Sequence, residues 1–140
     1  MKRIVLIILS AFVMTLGFAK TPEKSKSMSE VKEHRLEDRY LLEAIGNLQQ
    51  LRHYDPSKNE SNSDFIIVRQ NFFNRAIVCL EKAKAKSSDG ATKQKLQEII
   101  SYLRVNERAI LKTDAKFKRT TAEGARHIDH CVNVLLKFTN

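Results

Sequence analysis

The sequence predicts an all-α fold, an antiparallel four-helix bundle behind an N-terminal signal peptide. Three observations predict it. Four stretches place apolar residues at the three- and four-residue spacing of one helix face. The chain of 140 residues holds only four Gly and two Pro, so breakers are scarce. The segments between the four stretches are short and polar, which suits antiparallel neighbours.

The chain opens on a leader pattern. Lys2 and Arg3 give a positive start, and Ile4 to Phe18 runs uncharged and mostly apolar. Gly17-Phe18-Ala19 then sets small residues at the two positions a signal peptidase inspects. Residues 1–19 are therefore expected to be a signal peptide, and the mature protein to begin near Lys20 and be secreted or periplasmic. The alternative is an N-terminal membrane anchor. The run is interrupted by Ser10, Thr15 and Gly17 and falls short of the roughly 20 apolar residues that span a bilayer. Lys20, Lys24 and Lys26 beyond it weaken the charge difference that would orient an anchor. Residues 20–28 (KTPEKSKSM) read as a flexible lead-in, and residues 29–140 as a single domain. A domain of that size buries about two-thirds of its unfolded surface and can hold a core without metal or dense disulfides.

The first helix is expected from Ser29 to His53, opened by the capping box Ser27-x-x-Glu30. Its buried face is Leu41, Ala44, Ile45, Leu48 and Leu51. Residues 54–63 form a loop with Asp55-Pro56 as its turn signal. The loop contains Asn59-Glu60-Ser61, a glycosylation sequon that matters only in a eukaryotic secretory host. A second helix is expected from Asp64 to Lys86, with Phe65, Val68, Phe72, Phe73, Ala76, Cys79, Leu80 and Ala83 inward. Ser87-Ser88-Asp89-Gly90 breaks the pattern. A third is expected from Ala91 to Phe117 on Leu96, Ile99, Ile100, Leu103, Ile110 and Leu111. The capping box Thr120-x-x-Glu123 opens a fourth that reaches the C-terminus, burying Ala125, Ile128, Cys131, Val132, Leu135, Leu136 and Phe138.

The formal charge is +9, and loss of Lys2 and Arg3 with the leader removes two of those charges. Such an excess favours anionic partners. On the expected third helix Arg104, Arg108, Lys112 and Lys116 recur every four residues, and Arg119 extends the line. Together they form an anion-facing stripe separate from the apolar face. Its targets are an acidic protein face or an anionic membrane surface. Nucleic acid is not expected, because an exported protein seldom meets it and only Tyr102 lies near the stripe as a stacking residue.

Candidate sites are few. Glu123, His127 and His130 fall four and three residues apart and are the candidate metal ligands, with His53 brought near by antiparallel packing. The pattern lacks the H-E-x-x-H zinc signature, so no metal and no other cofactor is expected. Glu30, Glu33, Glu37 and His34 lack the Glu-x-x-His spacing of di-iron bundles. Arg69 stands amid Phe65, Phe72, Phe73 and Ala76, where an unpaired buried guanidinium is costly. It is expected to snorkel, to pair with a carboxylate such as Glu43, or to meet a ligand's carboxylate or phosphate. Cys79 and Cys131 are expected to form a disulfide, as an even count in an exported chain favours. The difficulty is that the second and fourth helices of a square bundle are diagonal, whereas a disulfide needs Cα atoms within about 7 Å. No nucleophile elbow, phosphate loop or haem-attachment motif occurs. The expected function is therefore non-enzymatic. The chain reads as an exported small bundle that binds a protein partner of the envelope or of a secretion or toxin/immunity system. The alternatives are a small-ligand or metal-binding bundle and a basic module that binds anionic surfaces.

Overall fold

A computed structural model describes residues 24–58 and 64–139, with side chains from Asp38 onward. The expected leader and the sequon lie outside the described residues. Glu30, Glu33, His34 and Glu37 lie outside the described side chains. The structure is α-helical, and no strand forms among the described residues. The helices are α1 (Lys24–His53), α2 (Phe65–Lys86), α3 (Gly90–Val105), α4 (Glu107–Leu111) and α5 (Ala122–Phe138), with a 3-10 turn at Pro56–Lys58. No described helix is long and apolar enough to cross a membrane.

One hydrophobic cluster joins the helices. Leu41, Ala44, Ile45, Leu48 and Leu51 of α1 meet Phe73, Ala76, Leu80 and Ala83 of α2, and α3 adds Leu96, Ile99, Ile100 and Leu103. Ile110 of α4 and Ile128, Cys131, Val132 and Leu135 of α5 complete it. The fully buried residues fall on the stripes that the helical spacing predicts, with Ile77 added on α2, but Phe65, Val68, Phe72, Leu111, Ala125, Leu136 and Phe138, also expected inward, are only half-buried. Full burial of each large aliphatic or Phe side chain is worth about 1.5–3 kcal/mol, which is what holds these stripes together. Helix α1 packs along α2 and also against α5, while α3 packs on α2 and α4 on α5.

The helix ends depart from expectation. Helix α1 begins at Lys24, so the expected lead-in 20–28 is already helical over its second half and Ser27 is not a cap. Asp89 caps α3, its carboxylate accepting from the amides of Ala91 and Thr92. The expected third helix stops at Val105 and resumes only for Glu107–Leu111. At the break the Asn106 side-chain amide donates to the Tyr102 carbonyl at 2.8 Å, a local bond that competes with the helix ladder. The cap of α5 is Thr121, whose hydroxyl accepts from the Gly124 amide at 3.1 Å, rather than Thr120. That helix ends at Phe138.

Candidate functional site

Arg69 is 1% exposed and finds no carboxylate. Its Nη1 donates to Thr120 Oγ1 at 2.9 Å and toward the Leu51 carbonyl at 3.4 Å. Its Nη2 donates to the Ile110 carbonyl at 3.2 Å and toward that of Leu111 at 3.5 Å. These carbonyls end α1 and α4, where the last turn of a helix leaves its oxygens without intrahelical partners. Thr120 accepts from Arg69 and donates to the Leu51 carbonyl at 2.9 Å, so one hydroxyl closes the set. Nε is buried without a partner. Burial lowers the guanidinium's pKa from its usual value, and Tyr54 nearby opposes that shift. The expected pairing with Glu43 is not made, because Glu43 instead accepts from Arg39 Nε at 3.2 Å and from Cys79 Sγ at 3.7 Å. Snorkelling fails too, since the polar oxygens lie inward, at the helix ends.

Arg69 holds both feet of one turn. Leu111 precedes it, Thr120 follows it, and Thr113 and Thr120 pair across its base as an isolated antiparallel bridge. Asp114 organises the interior. Its Oδ1 accepts from the amides of Lys116 (3.1 Å) and Phe117 (2.6 Å), and its Oδ2 from that of Arg119 (3.0 Å). The Asp114 amide donates to the Arg119 carbonyl at 2.9 Å. Lys118 sits at φ 57, the left-handed region that a non-glycine residue adopts only when its surroundings hold it there. The amide bonds, led by that from Phe117, hold the Asp114 carboxyl below the usual carboxylate range.

What the turn presents is cationic and apolar together. Lys112, Lys116, Phe117, Lys118 and Arg119 are all exposed, Phe117 by 52%. The Lys116 ammonium and the Arg119 guanidinium each lie 5.1 Å from the centre of the Phe117 ring, within cation–π range. Residues 104–119 carry six Lys or Arg against Glu107 and Asp114, and the Asp114 carboxylate is turned onto backbone amides. Arg119 also pairs with Asp55 at 2.7 Å, tying the turn to the chain after α1. Ser57 first, and then Arg119, hold the Asp55 carboxyl below its ordinary value. A cleft of about 530 Å³ opens here, lined by Arg52, His53, Lys58, Arg119 and Asp55. On the other side of the turn, Lys112 and Thr113 share a cavity of about 240 Å³ with Phe65, Ile66 and Arg69 at the start of α2.

The expected stripe is therefore rearranged. Arg104 and Arg108 stay on helices, but Lys112, Lys116 and Arg119 lie on or next to the turn, off the helical register, because the helix stops at Leu111. The five residues share exposure rather than one helix face.

The candidate metal ligands do not converge. His127 Nε2 is 3.8 Å from Glu123 Oε1, while its Nδ1 is hydrogen-bonded to the Tyr102 hydroxyl at 2.7 Å. His130 instead lies with its ring centre 4.8 Å from that of Tyr102. Among the described residues no three His, Cys, Asp or Glu side chains come together as an ion site. His53 is exposed, and its neighbour Arg52 reaches α5 instead. There it holds Asp129 in a two-pronged ion pair at 2.7 and 3.0 Å.

Cys79 and Cys131 are both buried and free, so the expected bond is not formed. The reason is lateral. Cys79 faces Glu43 of α1, Cys131 lies near Tyr102 of α3, and α2 and α5 do not pack along one another. Burial pushes the Cys131 thiol up to about 12 and raises that of Cys79, the latter also through the neighbouring Glu43 carboxylate.

Sequence reasoning missed Asp114, Phe117 and Lys118, and gave Thr120 a capping role in place of its bond to Arg69. The signal for Asp114 was present in its position two, three and five residues before the amides it binds, the spacing of a side-chain-capped turn. Comparison with known proteins yields no match: no protein-family model, no curated protein and no solved structure is similar to the chain.

Proposed function

We propose that the chain is an exported antiparallel four-helix bundle that acts by binding, not by catalysis, and that its binding element is the turn from Lys112 to Arg119. The observation that carries this reading is the turn's construction. Its only carboxylate, that of Asp114, is occupied by backbone amides, both its feet are fastened by a buried Arg69, and the side chains it exposes are mainly cationic or aromatic. A turn held this firmly loses little conformational freedom on contact, and low ordering cost favours affinity. The partner is acidic, met outside the cytoplasm if residues 1–19 are the leader that the sequence suggests. In the bundle α1, α2, α5 and the broken pair α3–α4 are the four helical legs, and the turn is the connection between the third and fourth.

Retention on immobilised heparin at low salt tests the reading. Replacing Lys112, Lys116 and Lys118 together by Glu is expected to abolish retention, with the helical circular dichroism unchanged. The same reversal at exposed Lys86, Lys93 and Lys95, away from the turn, is expected to weaken it only slightly. Equal retention of the turn variant and the parent would refute the assignment.

A further inference from the structure

The geometry points to the surface of an anionic lipid bilayer as the acidic partner, with Phe117 entering the headgroup layer. This rests on the reading of the turn as the binding element and adds the identity of the target. Charge alone would serve an acidic protein equally well, so the apolar groups decide between them. Phe117 is 52% exposed between two cations that reach its ring. At the start of α2, Ile66 is 68% exposed and Ile67 54% exposed, and Ile66 borders the cavity that also takes in Lys112. Exposed large apolar side chains elsewhere on the described residues are single ones, Val78 and Val105. At the turn, Ile66 shares its cavity with Lys112, and Phe117 lies against Lys116 and Arg119.

A protein face would ask for acceptors placed opposite these cations and for a pocket to receive the ring. A bilayer interface supplies both without a specific shape. Its phosphates accept from long flexible ammonium groups, which snorkel upward, and the acyl boundary takes apolar side chains and aromatic rings. The juxtaposition of a ring with cations on either side in sequence is suited to that gradient. The left-handed Lys118 and the Asp114 bond to the Phe117 amide fix the backbone that carries the exposed ring.

The chain contains no Trp, so a single introduced indole reports on one place. Phe117→Trp in the otherwise unaltered chain is mixed with vesicles of phosphatidylcholine, or of phosphatidylcholine with phosphatidylglycerol. With the anionic vesicles its emission is expected to shift to the blue and its quenching by acrylamide to fall several-fold; with the neutral vesicles neither changes. Val78→Trp, midway along α2, is expected to stay quenchable in both, which separates contact at the turn from any membrane contact made by the apolar residues 4–18. Adding the three Lys→Glu changes is expected to weaken the anionic-vesicle response more than about tenfold, each basic residue near such a surface adding roughly a factor of five. If heparin retention depends on the three lysines but the indole of the Phe117→Trp variant stays open to acrylamide on anionic vesicles, the partner is an acidic macromolecule and the bilayer is excluded. If retention is also indifferent to the lysines, the binding turn itself falls.

Discussion

A guanidinium surrounded only by neutral oxygens, as Arg69 is, stabilises by what it satisfies rather than by charge pairing. Without it the carbonyls of Ile110 and Leu111 lose their buried side-chain donor, while that of Leu51 keeps the Thr120 hydroxyl, and each orphaned acceptor costs about 1–3 kcal/mol. Arg69→Met is expected to lower unfolding stability by about 2–4 kcal/mol in urea titration, allowing for partial relaxation. Arg69→Lys is expected to recover only part of it, because one ammonium cannot fork between Thr120 and Ile110. Asp114 gives a second residue-level expectation. Its carboxyl titrates below the unfolded carboxylate range, so what it adds to stability is present above that range and lost as pH falls through the lowered folded value. The amide resonances of Phe117 and Arg119 should therefore stay fixed from neutral pH down through about pH 4 and move only in stronger acid. A shift centred near pH 6 would contradict the Asp114 assignment. Arg69 was conspicuous in the sequence as a charge among Phe side chains. Its partners were not readable there, because main-chain carbonyls at helix ends leave no residue signature.

Helix α5 comes so close to α4 that a Cβ at position 124 is accommodated only if the facing backbone gives by a few tenths of an ångström. A Cβ there would stand 3.0 Å from the Ala109 carbonyl oxygen and 3.2 Å from that of Ile110, both backbone atoms, which move less readily than the end of a side chain. Gly124→Ala is expected to cost about 1–3 kcal/mol by overpacking, despite the better helix propensity of Ala, and to show as a lowered urea midpoint. Asp89→Ala, which removes the cap of α3, should cost about 1 kcal/mol and leave α5 untouched. The stripes of all the helices were legible as spacing, and the burial of Leu48, Leu80, Leu103 and Leu135 follows it. The end of the third helix was not. Ile110 remains in phase with Leu103, so apolar periodicity runs straight through the break. What stops the helix is polar: Asn106 takes a carbonyl of its own helix, and Asp114 gathers the amides that a further turn would have used.

Over the molecule as a whole, the two thiols report on opening. Cys131 is 1% exposed and its thiol is raised to about 12, so at neutral pH it is almost wholly protonated as well as covered. Ellman's reagent should label both cysteines at once in denaturant, and in the native protein label Cys131 at a rate set by global unfolding. Prompt native labelling of Cys131 would mean that α5 detaches on its own. The sequence could count two cysteines but not say which neighbours they faced, since that depends on how the helices are arranged around the core. The Arg69 set has a further consequence, in time rather than in energy. Its partners lie 18, 41 and 51 positions along the chain, so the bonds form only after the ends of α1 and α4 and the start of α5 have been brought together. Bonds that need all three of these helix ends already in place are expected to close after the rate-limiting step of folding, at low φ. Arg69→Met should then leave the refolding limb of the chevron in place, while unfolding speeds up by nearly the whole loss of stability. The buried arginine would thus govern how long the basic turn keeps its shape once made, and leave unchanged how quickly it is made.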